Sequence, residues 1–170
     1  MDFEKNMSED EMYMREALAE ARLAAEVGDV PVGAVVVKDG RIIARAHNRV
    51  EQNARSGGHA EMLAIDAAEE YLGAKWLTGC TLYVTLEPCS MCAGAMVLAR
   101  LDRLCLGAMD PKNGACGSIF DVAHNERLNH RVQTDKGILE EECSEILKDF
   151  FREMRVSKSA LKRNKKLSED

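Results

Sequence analysis

Apolar and polar positions along the chain separate into stretches of helical and of alternating period. Ser8 with Glu11 forms a capping-box pattern, and a helix is predicted from there to about Val27, with Gly28 as its C-terminal stop. Met12, Leu18, Leu23 and the interleaved alanines give it a face of small and apolar side chains. Ala34–Lys38 and Arg41–His47 read as strands joined by Asp39-Gly40, a two-residue hairpin signal. Residues 49–58 lack periodicity and read as a loop. A second helix is predicted from near His59 to Gly73, and a β-branched and aromatic strand over Thr81–Leu86. Pro88 suits the first turn of a third helix, which runs to about Arg100. Leu101–Ala108 reads as a strand, Asp110–Ser118 as a Gly-rich polar loop, Asp121–Asn125 as a short turn or helix, and Arg131–Thr134 as a short strand. From Ile138 to about Arg155 apolar residues recur at helical spacing, and the last dozen residues are expected to fray. The strand-helix-strand passage over 81–108 requires a parallel pair with a right-handed crossover, so the pattern predicts an α/β sandwich with a mixed sheet.

The length, 170 residues, fits one compact domain, and no internal repeat or linker divides it. The expectation is a single domain over 1–170, with a core at about 8–156 and a basic tail at about 157–170. Apolar residues make up 46% and prolines number 3, which excludes a disordered chain. The longest uncharged stretch around the second cysteine cluster, Pro88–Ala99, is too short for a membrane span, which needs roughly 18–20 apolar residues. The N-terminus carries Asp2, Glu4, Glu9, Asp10 and Glu11 where a secretory signal would carry bases, so the expected compartment is the cytoplasm and no membrane partner is expected. The six cysteines should then be reduced, metal-bound or buried. The net charge of −6 argues against broad nucleic-acid affinity. Residues 151–170, however, hold 7 bases and 3 acids, so an anionic partner should meet the C-terminal end first.

Candidate chemistry lies in His59-Ala60-Glu61 and Pro88-Cys89-Ser90-Met91-Cys92, both at predicted helix N-termini. Cys89 and Cys92 share one helical face, and a helix N-terminus favours the thiolate that a metal needs. One His and two Cys make a three-ligand zinc site with a fourth position open, as catalytic zinc sites have. Zinc lowers the pKa of a water to roughly 7, and Glu61, two residues from His59, suits a proton shuttle. Taken alone, Cys89 and Cys92 could equally be a redox pair or half of a structural site, with Cys80, Cys105, Cys116 or Cys143 as a fourth ligand. A lone His at a helix start is more often a cap or a packed residue. The combination is more specific: His-x-Glu, then Pro-Cys-x-x-Cys after a strand, is the zinc deaminase signature.

Within that class the run from Thr81 to Met96 resembles the zinc helix of the bacterial tRNA adenosine deaminase family. Further matches are Val30-Pro-Val-Gly-Ala34, Asn48-Arg49, Gly107-Ala108 with Asp110, Gly114-Ala115 with Gly117-Ser118, Asn129-His130-Arg131 and Asp149-Phe-Phe-Arg152. The resemblance implies a three-layer α-β-α, cytidine-deaminase-like fold with a mixed five-stranded sheet. It implies one zinc per subunit held by His59, Cys89 and Cys92, a homodimer, and a tRNA anticodon stem-loop as partner. The implied reaction converts adenosine to inosine at the wobble position, in an arginine tRNA, with a zinc-activated water attacking adenine C6 and Glu61 carrying protons. Substrate contacts are implied at Asn48, Ala60, Asp110, Phe151 and Arg152.

Some of these residues have plainer readings. Asn48 could satisfy backbone groups at a strand end, and Asp110 could be a turn residue before Pro111. As a substrate contact Asp110 would meet a ribose hydroxyl and favour RNA over DNA. Phe150 and Phe151 point about 100° apart on a helix, so one packs inward and Phe151 is the choice for the pocket. The bases from Arg152 to Lys166 are either a solvated face or a phosphate-contacting one. Two rival functions remain at this level. A deaminase of a free base or nucleoside (guanine, cytosine or cytidine) would share every zinc residue. A non-catalytic zinc-stabilised RNA-binding subunit would have no need of Glu61.

Overall fold

The structure, a computed structural model, describes residues 7–169, and for Glu169 only the backbone. Asp2, Glu4 and Asp170 lie outside the described residues. Ten elements follow in the order α1 (Glu9–Glu26), β1 (Gly33–Lys38), β2 (Arg41–His47), α2 (Val50–Asn53), α3 (Ala60–Leu72), β3 (Cys80–Leu86), α4 (Ser90–Leu98), β4 (Arg103–Ala108), β5 (Gln133–Lys136) and α5 (Glu140–Glu169). The five strands form one sheet in the order β2-β1-β3-β4-β5. β1 is antiparallel to β2 and β3, whereas β3, β4 and β5 run parallel. The sheet is mixed and covered on both faces, α1 and α5 on one and α3 and α4 on the other, a three-layer α-β-α arrangement.

Strand alternation divides the core into two clusters. Ala34, Val36, Leu82, Val84, Leu104 and Leu106 face α3 and α4. Val35, Val37, Tyr83 and Cys105 face α1 and α5. Because both faces are covered, the central strands read as nearly continuous apolar runs. Truncating a leucine such as Leu104 or Leu106 to alanine there costs about 2–5 kcal/mol.

Local chemistry accounts for the element ends. The Ser8 hydroxyl accepts the Glu11 N–H at 3.2 Å, and Glu9, Asp10 and Glu11 place negative charge at the positive end of α1. Met14, Ala17, Leu18, Ala21 and Ala24 form its buried face. The small residues allow α1 to lie close on the sheet, where a Cβ at Gly33 would overlap the Ala17 carbonyl. Asp39 and Gly40 both adopt positive φ, the geometry a tight two-residue hairpin requires.

The structure corrects several boundaries read from the sequence. Residues 50–53 form a helical turn rather than loop, because the Asp29 carboxylate accepts the N–H groups of Glu51 and Gln52. Pro88 lies before the N-cap Cys89 rather than in the first turn of α4. β5 starts at Gln133, two residues later than expected. Over Asp121–Asn125 the structure has the turn, one of the two forms expected, joined to Cys116 by an isolated bridge. α5 runs on through Glu169 where fraying was expected, since no Gly or Pro follows Gly137 and Lys, Arg, Leu, Ala and Glu are good helix formers. Among the described residues no helix is long and apolar enough to cross a membrane.

Candidate active site

α3 and α4 begin side by side, and their first residues carry the chemistry. His59 is the N-cap of α3 and Cys89 the N-cap of α4, both in extended conformation. Neither uses its side chain to cap its helix, so the ring and the sulfur are free to point at each other. Cys92 lies one turn into α4 and is fully buried. The His59 Nδ1 lies 3.6 Å from the Cys89 Sγ and 3.5 Å from the Cys92 Sγ, and the two sulfurs are 3.8 Å apart. Among the described residues this is the one group of three side chains close enough to hold a metal ion. Cys80, Cys105, Cys116 and Cys143 are free and buried and are not part of it.

Charge in the cluster is strongly shared. The hydrogen bond with Cys92, then that with His59, holds the Cys89 thiol down to about 3. The same sulfur contact, then burial, pushes Cys92 in the opposite direction. The Cys89 contact also raises His59, against the effect of burial. A metal that takes both sulfurs as thiolates therefore releases the proton that the raised Cys92 thiol holds. Glu61, in the first turn of α3, is 4% exposed. Burial raises its carboxyl above the ordinary range, against its own backbone N–H and the charge on His59. A carboxyl raised toward neutrality can both take and return a proton near pH 7.

The cluster opens into a cavity of about 700 Å³. His59, Ala60, Glu61 and Cys89 line it, and Cys92 stands behind them. Asn48, Asp110 and Phe151 also line it, brought in by the end of β2, the loop after β4 and the middle of α5. Asn48 is 8% exposed, and its side chain bridges the Val30 carbonyl and the Val50 N–H, each at 3.3 Å. The Asp110 Oδ1 accepts the N–H groups of Lys112 and Asn113, which turns the loop. Phe150 packs inward and Phe151 faces the cavity beside Leu147. Arg152 is not part of the lining; it is exposed and pairs with Asp149 at 3.2 Å.

Besides the exposed Glu51, two buried acids line the cavity that sequence reasoning passed over, Asp29 and Glu87. Both are almost completely buried, and both accept backbone N–H groups of the rim. For Glu87 a signal existed: it is the only charged residue between Leu82 and Ala99. Its partners, however, lie 23 to 31 residues away.

Comparison with known proteins agrees with this geometry. The family model of the MafB19-like deaminases matches residues 8–155. A tRNA-specific adenosine deaminase of Bacillus subtilis is 53% identical over 158 residues, 93% of this chain and 98% of that protein. A solved structure of a tRNA:A34 deaminase, described as performing A-to-I editing at the wobble position of transfer RNA, superposes with a TM-score of 0.77. It is 46% identical and covers 80% of this chain and 99% of its own. A guanine deaminase from Bacillus subtilis superposes less completely, with a TM-score of 0.57 at 39% identity, over 61% of this chain and 66% of its own. With matches that span nearly the whole length of both chains, this protein is a MafB19-like deaminase and belongs to the tRNA-specific adenosine deaminase family.

Proposed function

We propose that this chain hydrolyses adenosine to inosine at the wobble position of a tRNA anticodon, an arginine tRNA being the first candidate. The observation that carries the reading is the His59-Cys89-Cys92 cluster with Glu61 buried beside it, under a cavity roomy enough for a nucleotide. The names of the full-length relatives support the polymer substrate over a free base. The match to the guanine deaminase covers less of both chains.

The metal we assign is zinc, one per subunit. A tetrahedral zinc with Zn–S about 2.3 Å and Zn–N about 2.0–2.1 Å places its ligands about 3.8 Å apart for S–S and about 3.6 Å for S–N. The observed separations of 3.8, 3.6 and 3.5 Å fit that edge set. His59, Cys89 and Cys92 would hold the ion, and a set of three protein ligands is the kind that would keep a position for water. Zinc, when bound, supplies Lewis-acid activation of a water at neutral pH. The chain's own residues do the rest. Glu61 takes a proton from the attacking water and delivers it to adenine N1, then takes the second proton from the hydroxyl added at C6 and delivers it to the 6-amino group as the carbonyl forms. One water is consumed, the C6–N6 bond breaks, and ammonia leaves.

Asn48 reads as a contact to the target nucleotide, Ala60 as the floor under the base, and Phe151 as an aromatic wall for an unstacked base. The Asp110 Oδ1 is taken up by the loop, which leaves Oδ2 as acceptor for a ribose hydroxyl, the group that separates RNA from DNA. Arg152 lies outside the cavity and reads as a backbone contact. Residues 1–170 read as one deaminase domain, with the core at about 8–156 and the basic end of α5 as an appendage. A homodimer is supported by an apolar patch off the cavity: Trp76, Leu98 and Leu128 border one hollow, and Leu98 is 81% exposed. Action on tRNA supports the cytoplasm as the place of work.

The test is incubation of the zinc-loaded protein with an anticodon stem-loop carrying wobble adenosine, read by mass spectrometry. Free adenosine, guanine and cytidine run in parallel. Inosine at the wobble position alone is expected. Turnover only of a free base or nucleoside would overturn the polymer reading, and none on any substrate would favour a non-catalytic RNA-binding subunit.

A further inference from the structure

Glu87 is 2% exposed and sits between the end of β3 and Pro88. Its own N–H extends the parallel ladder to the Ala108 carbonyl at 2.8 Å. Among the described residues its carboxylate forms no ion pair with a Lys or Arg. It is instead surrounded by donors from one loop: the N–H of Asp110 at 2.9 Å, those of Cys116 and Ser118 at 3.0 Å each, and the Ser118 hydroxyl. The loop wraps the carboxylate so closely that a Cβ at Gly114 would fall onto it, and the Ala115 N–H closes the wrap on the Pro88 carbonyl at 2.8 Å. Burying a carboxylate without a cation is unfavourable unless its lone pairs are met by oriented donors, and here four converge. The arrangement sets the path of backbone 110–118, and residues 110–113 of that path line the cavity. Asp110 is both a donor to Glu87 and a cavity residue, so one hydrogen bond separates Glu87 from the substrate side.

We propose that Glu87 is a positioning residue for the RNA substrate: through the Asp110 N–H and the 116–118 backbone it holds Asp110 where a ribose hydroxyl can be read. The proposal deepens the function above and rests on its reading of Asp110.

Glu87→Gln keeps the shape but turns an NH2 toward donors, and Glu87→Asp keeps the charge at a shorter reach. Zinc content is measured for both, to separate any disturbance of the neighbouring Cys89. KM and kcat are then measured on the anticodon stem-loop and on the same stem-loop with a single 2′-deoxyadenosine at the target. For Glu87→Gln the expectation is unchanged zinc, a KM raised about tenfold with a smaller effect on kcat, and a preference for ribose that shrinks toward that of Asp110→Ala. The double variant should be no worse than Asp110→Ala alone, because both remove the same contact. Glu87→Asp should recover part of the loss. Amide exchange of the 109–119 segment should speed up in Glu87→Gln, a readout that needs no turnover. Slow exchange in that variant, multiplicative losses in the double variant, or a lower Tm with KM and ribose preference unchanged would each overturn the proposal. Absence of wild-type turnover on RNA would overturn the functional reading and the ribose role with it, while exchange would still report whether Glu87 holds the loop.

Discussion

Asp10 and Arg103, 93 residues apart in the chain, meet in a two-pronged ion pair with both N–O distances at 2.8 Å. The Arg103 Nε is taken by Asp135 at 2.7 Å, and the Tyr83 hydroxyl donates to Asp10 at 2.7 Å. One network thus fastens the first turn of α1 to β3, β4 and β5. The Arg103 hydrogen bond, against burial and helped by Tyr83, holds the Asp10 carboxyl below its ordinary range. A lowered carboxyl contributes stability above its unfolded value of about 3.9 and loses it as pH falls through the folded value. Asp10→Asn should therefore lower stability at neutral pH by about 1–3 kcal/mol. In urea unfolding, the gap between wild type and variant should narrow from about pH 5 to about pH 2. A gap that stays constant over that range would remove the charge from the account.

Among the described residues Glu61 is the acid set against His59 and Cys92, and burial keeps its proton affinity high. Glu61→Gln retains the shape and the neighbours while removing the exchangeable carboxyl proton. It should fold, keep zinc at wild-type stoichiometry, and lose about 10²–10⁴-fold in turnover of the stem-loop, or more if Glu61 serves several proton transfers. Glu61→Ala should lose turnover likewise. Inosine formation within a few-fold of wild type by either zinc-replete protein would reassign the proton shuttle.

Stripping the metal should expose a difference among the six cysteines. Cys89 is half-buried at the cavity and held as thiolate by Cys92 and His59. Burial pushes Cys105, Cys116 and Cys143 up to about 12 and raises Cys80, while the contact with Cys89, then burial, raises Cys92. Chelated protein at neutral pH should therefore be alkylated first at Cys89, and readdition of zinc should protect it. Peptide mapping by mass spectrometry reads the order. Equal labelling of Cys89 and Cys105 would contradict the electrostatics of the cluster.

How much of this was legible in the sequence follows from the reach of each interaction. His59, Glu61, Cys89 and Cys92 are readable because each pair lies within one turn of a helix start, so spacing alone sets their geometry. The inward and cavity-facing split of Phe150 and Phe151 follows from helical angle in the same way. α2 is not legible, since its four residues are held by the Asp29 carboxylate some 22 residues earlier. The part played by Glu87 is hidden for the same reason: its partners are backbone amides, which carry no residue identity for a pattern to show. Arg152, which the resemblance implies as a substrate contact, lies one step along the helix from Phe151 and so points about 100° away from the cavity.

The exposed half of α5 makes a last prediction about affinity. Every residue from Phe151 to Ser168 is exposed. Lys148, Arg152, Arg155, Lys162 and Lys166 recur at offsets of three, four or seven, so they share one face of the helix. Lys158 and Lys165 fall closer to the direction in which Leu147 and Phe151 face the cavity, at about 100° per residue. A basic ridge therefore leaves the cavity mouth along α5, rising about 1.5 Å per residue. In a protein of net charge −6 this ridge is where phosphates meet attraction. Reversal of Lys158, Lys162, Lys165 and Lys166 to Glu should weaken stem-loop binding and flatten its salt dependence. Each lost phosphate contact lowers the slope of log K against log salt by about 0.7–0.9. Turnover of bound RNA at saturation should change little, because none of the four lines the cavity. Titrations at three salt concentrations with wild type and variant decide it. Parallel lines would assign the ridge to solvent.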